Sequence, residues 1–249
     1  MGGLRIESLT VRYAGTTALD GISISAGSGV IAIVGPNGSG KSTLLNAAAT
    51  LLRPASGRIL IDDADITTVG GRRHARRSIG YVPQRPEFTG HYTVGDAVRY
   101  AAWLHRIPRR NTDAATASAI AATGLTDWRG KRLKDLSGGT RQRVFIAQAI
   151  VCQPAVLLFD EITVGVDAEH RVALRRLIRS LAQHRTVLLS THLTEDVELL
   201  ADRVIALDYG RVLFDGPPAK LLAHATGGGV DERPIETALR NLTQRGSDD

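Results

Sequence analysis

The stretch Val30-Ile31-Ala32-Ile33-Val34-Gly35-Pro36-Asn37-Gly38-Ser39-Gly40-Lys41-Ser42-Thr43 decides the fold. Its first half is a compact apolar run ending at a glycine, the pattern of a strand buried on both faces. From Lys41 the period changes. Leu44, Leu45, Ala48, Leu51 and Leu52 recur at helical spacing, and Pro54 stands just beyond Arg53, where a helix should stop. The order is strand, glycine loop, helix. Inside it, Gly35, Gly40, Lys41 and Ser42 fill the pattern G-x-x-x-x-G-K-S. Glycines let successive backbone N–H groups turn inward around phosphate oxygens, and the helix start adds partial positive charge. Pro36, Asn37, Gly38 and Ser39 complete the loop. Lys41 is placed to reach β- and γ-phosphates, Ser42 to ligate Mg²⁺, and Thr43 to donate to the α-phosphate.

Working outward, further apolar runs occur at Ala155–Phe159, Thr186–Leu189 and Arg203–Leu207, with a helical pattern at Ala168–Ala182. Alternating strands and helices predict an α/β fold with a mainly parallel sheet. Leu4 to about Ile24 reads as a hairpin or small antiparallel sheet. From about Arg85 to Leu136 the chain is rich in Ala, Arg and Thr, which predicts a mostly helical inserted lobe. Beyond Leu221 come GlyGlyGly at 227–229 and a short amphipathic run, Ile235–Leu242.

The run Val156–Phe159 ends in Asp160-Glu161. A buried strand delivers Asp160 to the carboxyl edge of the sheet, where ligands bind in open α/β folds and where it would hold Mg²⁺. Alternation along the strand turns Glu161 elsewhere, free to deprotonate a water aimed at a γ-phosphate. Leu136-Ser137-Gly138-Gly139-Thr140 precedes a helical pattern from Arg141 to Val151, so Ser137 sits at a second helix start. Taken alone, that element better suits an ordinary serine cap with a glycine turn.

In this order, Gly35–Thr43, Leu136–Thr140 and Val156–Glu161 resemble the nucleotide-binding subunit of an ATP-binding cassette (ABC) transporter. The resemblance spans about Leu4 to Gly216. It implies a RecA-like P-loop core with an N-terminal antiparallel β subdomain and an inserted helical lobe at about 85–150, an ATPase domain over 1–220 and a short appendage at 221–249. It also implies ATP and Mg²⁺ as ligands. Residue by residue, Tyr13 resembles the aromatic that stacks on adenine. Gln84 resembles the glutamine that contacts Mg²⁺ or the attacking water, and Asp167 the aspartate that communicates across a dimer. His192 resembles the histidine on the γ-phosphate, and Ser137, Gly138 and Gly139 the signature that caps a partner's nucleotide. The catalytic set implied is Lys41, Gln84, Glu161 and His192; the metal set is Ser42, Gln84 and Asp160. Three positions depart from the family: Thr140 where Gln is usual, Ile162 where Pro is usual and Val166 where Leu is usual.

The same resemblance implies a head-to-tail homodimer, or a dimer with another ABC subunit, closed by ATP and coupled to a separate transmembrane permease at the cytoplasmic face of the membrane. The texture of Tyr81–Ile107 and Leu189–Gly216 is most similar to exporter ATPases. An importer ATPase and a non-transport ATPase acting on ribosomes or DNA are the alternatives. Tyr81, Phe88, Tyr92, Tyr100 and Trp103 cluster around Gln84 and suggest a docking surface for the permease, with packing inside the helical lobe as the alternative. Two basic clusters, Arg72–Arg77 and Arg129–Lys134, fit solvated faces or lipid headgroups. No nucleic-acid module accompanies them, so no specific nucleic acid is expected. The composition agrees. The chain has 249 residues, a net charge of +6 and a single cysteine, Cys152, which excludes a disulfide scaffold and points to a reducing compartment. No apolar run approaches the roughly 18 residues of a membrane span.

Overall fold

Strands that are apolar on both faces need cover on both sides, and the apolar runs of this sequence receive it. The computed structural model describes residues 3–225 and 234–245. The chain opens with β1 (Leu4–Tyr13), β2 (Thr16–Ala26), β3 (Gly29–Val34), α1 (Lys41–Ala48), β4 (Ser56–Ile61), β5 (Ala64–Asp65), α2 (Val69–Ser78) and β6 (Ile79–Val82). Helices follow: α3 (Val94–Leu104), α4 (Arg109–Ala122) and α5 (Gly138–Ile150). Then strands and helices alternate through β7 (Val156–Asp160), α6 (Ala168–Ala182), β8 (Thr186–Ser190), α7 (Thr194–Leu200) and β9 (Arg203–Asp208). The chain finishes with β10 (Arg211–Gly216), α8 (Pro218–Leu222) and α9 (Pro234–Arg245).

The central sheet has the order β10-β9-β3-β8-β7-β6, and every pairing except β9 with β10 is parallel. Side-chain alternation divides its two faces. Leu157, Phe159, Val187 and Leu189 pack beneath the helices α3–α6. Ile31, Ile33, Val156, Leu158 and Leu188 face α1 and the antiparallel sheet. The α/β expectation with a mainly parallel sheet therefore holds. The expected hairpin is part of a larger sheet of order β2-β1-β4-β5.

Some local expectations are corrected. The helix after Lys41 ends at Ala48, not near Leu52. Thr50 takes φ +64°, and the Leu51 and Leu52 amides both donate to the Asn46 carbonyl, which turns the chain out of the helix. Leu51, counted in the helical period, is 62% exposed. The strands β4, β6 and β10 carried no distinct sequence signal. The amphipathic run at Ile235–Leu242 forms α9, whose buried Ile235 and Ala238 pack with Val34, Val204 and Ala206. GlyGlyGly 227–229 lies outside the described residues. The first basic cluster lies on α2, and Cys152 is half-buried, its thiol pushed up to about 11 by burial.

One buried carboxylate ties the loop after β7 to the loop after β8. Asp196, fully buried on α7, accepts from the hydroxyls of Thr163 and Thr191. Arg175 Nε donates to Asp196 Oδ1 at 2.7 Å, and its guanidinium reaches Glu195 at 2.9 Å. Two threonines and an arginine thus satisfy a charge that would otherwise be costly in the interior. We predict that Asp196→Ala loses about 3–5 kcal/mol, because Arg175 is left buried and less well paired. Urea denaturation measures this, and a loss below about 1 kcal/mol would contradict it.

Candidate nucleotide site

The phosphate-type loop runs from the end of β3 to the start of α1. Gly35 takes φ +145°, and a Cβ added there would lie 2.1 Å from the Leu207 carbonyl oxygen, so the turn off β3 requires glycine. Lys41, buried in the first turn of α1, donates from Nζ to the carbonyls of Gly35 and Pro36, each at 2.9 Å. Those bonds close the loop on its own lysine. Burial lowers the Lys41 pKa from its ordinary value, and the charges of Glu161 and Asp160 oppose the shift. Ser39 Oγ is buried in the same loop without a hydrogen-bond partner. An acceptor such as a phosphate oxygen suits that orphaned hydroxyl.

Asp160 is the last residue of β7, 3% exposed, and its carboxylate accepts from the Ser190 hydroxyl of β8. Glu161 follows with φ +52°, a strained setting for a residue with a side chain. Strand alternation was expected to aim Glu161; this left-handed turn does so instead. Its amide donates to the Ser190 carbonyl and hydroxyl, each at 3.1 Å, which fixes the turn. Gln84 Nε2 donates to Glu161 Oε2 at 2.7 Å, and His192 Nδ1 lies 3.4 Å from Oε1. Glu161 therefore stands between Gln84, just beyond β6, and His192, just beyond β8.

The structure brings Lys41, Gln84, Asp160, Glu161 and His192 to one edge of the sheet. Ser42 is exposed at the start of α1 beside Lys41, followed by half-buried Thr43, and Pro36, Asn37 and Gly38 form the exposed tip of the loop. Tyr13 stands apart, 44% exposed at the end of β1. Ser137, Gly138, Gly139 and Asp167 form a second cluster at the starts of α5 and α6. Among the described residues, no hydrogen bond joins this cluster to the phosphate-type loop. Ile162 is buried, and the hydroxyl of Thr163 anchors its loop to Asp196, which gives the turn a tether other than the usual proline.

Sequence reasoning missed three supports: Ser190, Arg175 and Asp196. Their roles come from packing between distant elements, and only Ser190, within Leu-Ser-Thr-His, had a motif beside it.

The comparisons agree with this geometry. The ABC transporter family profile matches residues 19–164. The chain is 37% identical over 233 residues to the phosphonates import ATP-binding protein PhnC 2 of Synechococcus sp. (strain JA-2-3B'a(2-13)), covering 88% of this chain and 86% of that protein. It is 32% identical over 224 residues to the Nod factor export ATP-binding protein I of Rhizobium meliloti, covering 89% of this chain and 66% of that one. Among solved structures, CbiO1 of Clostridium perfringens, part of the ABC transporter complex CbiONQ, superposes with a TM-score of 0.81 at 31% identity. That match covers 98% of this chain and 96% of the other. This chain belongs to the ATP-binding subunits of ABC transporters. It is an ATPase of that family.

We predict that Gly35→Ala destabilises the fold by about 2–4 kcal/mol, because the new Cβ must displace either β9 or the loop. Equilibrium unfolding measures it; an unchanged transition would contradict the steric argument.

Proposed function

We propose that this chain powers solute import, working as two copies beneath a separate transmembrane permease at the cytoplasmic face of the membrane. The observation that carries the catalytic part is the grip of Gln84 and His192 on Glu161, next to Lys41. Backbone N–H groups along Asn37–Thr43 and the Lys41 ammonium bind the phosphates. Tyr13 offers an exposed ring for the adenine. Asp160, the Ser42 hydroxyl and the Gln84 amide oxygen make an all-oxygen donor set of the kind magnesium prefers. Gln84 Oε1 suits that role because its amide nitrogen is already committed to Glu161. Magnesium, when bound, neutralises charge on the phosphates. Glu161 accepts the proton of the attacking water, held in aim by Gln84, and His192 contacts the terminal phosphate. Ser137, Gly138 and Gly139 of the second copy cap the nucleotide from the far side, and Asp167 belongs to the same interface.

For the direction of transport we take import, the alternative weighed above, in place of the expected export. The phosphonate-import relative matches at higher identity and along more of its own length than the Nod-factor-export relative. That difference supports import. In proteoliposomes with the cognate permease, ATP on the subunit's side should drive solute accumulation on that side; net expulsion would sink this reading.

An aromatic surface supports permease docking. Tyr100 stacks on Trp103 at 5.8 Å, Tyr92 meets Tyr100 edge-on at 6.2 Å, and Arg141 lies over the Phe88 ring. Trp103 is nevertheless 67% exposed. A groove of about 510 Å³ opens at Ala101 and Leu104 of the same helix, lined also by Thr50, Leu51, Pro86 and Phe145. Exposed aromatics gathered on one surface are a mark of an interface. Tyr81, half-buried, lines the same groove, and its hydroxyl donates to Asn46 Oδ1 at 2.9 Å. Burial, with the Asp160 charge second, raises its hydroxyl to about 12.

Two outcomes follow. Glu161→Gln should bind MgATP, form dimers on gel filtration, and hydrolyse at least about 100-fold more slowly; turnover within tenfold of the parent would remove Glu161 as the base. Replacing Tyr100 and Trp103 by Ala should weaken capture of the permease about tenfold or more, read by co-purification. Undiminished capture would rule this surface out.

A further inference from the structure

Two helix starts meet at an imidazole that the preceding mechanism leaves unused. Ser137 caps α5, accepting from the Thr140 amide at 3.2 Å. Asp167 caps α6, accepting from the His170 amide at 3.0 Å. The His170 ring bridges the two caps: Nδ1 lies 2.8 Å from Asp167 Oδ1, and Nε2 lies 3.4 Å from Ser137 Oγ. The approach is close. A Cβ added at Gly139 would lie 2.4 Å from the His170 Cβ, so glycine at that position is what lets α6 lay its histidine across the start of α5.

The proton positions follow from the partners. The Asp167 carboxylate, whose pKa is held below its ordinary value by the two His170 hydrogen bonds, only accepts, so Nδ1 carries the hydrogen. Nε2 then offers a lone pair to the Ser137 hydroxyl. Thr140 Oγ1, 2.9 Å from the same hydroxyl, competes for that hydrogen. Thr140 is the side chain that departs from the family's usual glutamine. The family signature and the family aspartate are thus joined by a residue that neither motif contains.

We propose that His170 is a positioning residue: it locks the Ser137 hydroxyl to Asp167, so that both elements meet the partner copy's nucleotide as one rigid unit. The proposal rests on the composite-site reading above, in which Ser137 faces a nucleotide held by the second copy. Pre-orienting Ser137 lowers the entropy lost when the pair closes. It leaves the phosphate loop of the same chain untouched.

The test uses the full chain carrying Glu161→Gln, with and without His170→Asn. Asn retains an amide that can reach Asp167 as Nδ1 does, but it is too short to reach Ser137. Two quantities are measured: the affinity of the separated subunit for MgATP at low protein concentration, and the MgATP concentration at half-maximal dimerisation. We expect unchanged subunit affinity and an about three- to tenfold higher concentration for dimerisation, the range of one lost hydrogen bond. His170→Gln, whose amide can span to Ser137, should recover part of the loss. Equal dimerisation by the Asn variant and its parent would overturn the proposal alone, as would a matching loss in subunit affinity. A parent that binds MgATP but never dimerises would instead overturn the composite-site reading beneath it. Nitrogen-15 spectra of the histidine ring separate the cases further: the Nδ1–H tautomer is expected at His170, and the Nε2–H tautomer would refute the link.

Discussion

Three charged side chains, Lys41, Asp160 and Glu161, share the carboxyl edge of the central sheet, where solvent is scarce. Such groups persist away from water only if each is held by a partner. The lysine is held by its own loop carbonyls, Asp160 by the hydroxyl of Ser190, and Glu161 by Gln84 and His192. The partners come from three separate segments, at 35–36, 84 and 190–192, so the site exists only when the parallel sheet is assembled. The fold and the chemistry therefore have a common cause.

Asp196 extends that logic one layer outward. Through Thr163 it anchors the loop that carries Glu161, and through Thr191 it anchors the turn that carries His192. Arg175 binds the same carboxylate from α6, which is capped by Asp167 and bears His170 in its first turn. These elements are thus joined through one buried carboxylate that is bonded at both oxygens. On the proposed reading, hydrolysis in one copy and the interface of the pair communicate along this framework.

Much of this was legible in the residues. The strands β3, β7, β8 and β9 stood out because cover on both faces leaves each of them continuously apolar. The phosphate-type loop and the Asp160–Glu161 pair were legible because their chemistry is contiguous in the chain. The strand β6 was not, because four residues interrupted by Gly80 carry too little pattern. The end of α1 was misjudged because Leu51 and Leu52 keep the helical period while the backbone has already turned at Thr50. The roles of Gln84 and His192 came from family resemblance, since neither position carries its chemistry in its immediate neighbours. Asp196 and His170 could be found only from the folded structure, where contacts across tens of residues define them.

The central claim is that one complete catalytic site is shared between two copies of the chain. Mixing two inactive variants tests it most directly: Lys41→Ala, damaged at the phosphate loop, and Ser137→Ala, damaged at the signature. In a mixed pair, one site carries both lesions and the other carries neither. The account predicts that ATPase activity, nearly absent from each variant alone, returns when they are combined. A mixture no more active than the sum of its separate components would contradict it.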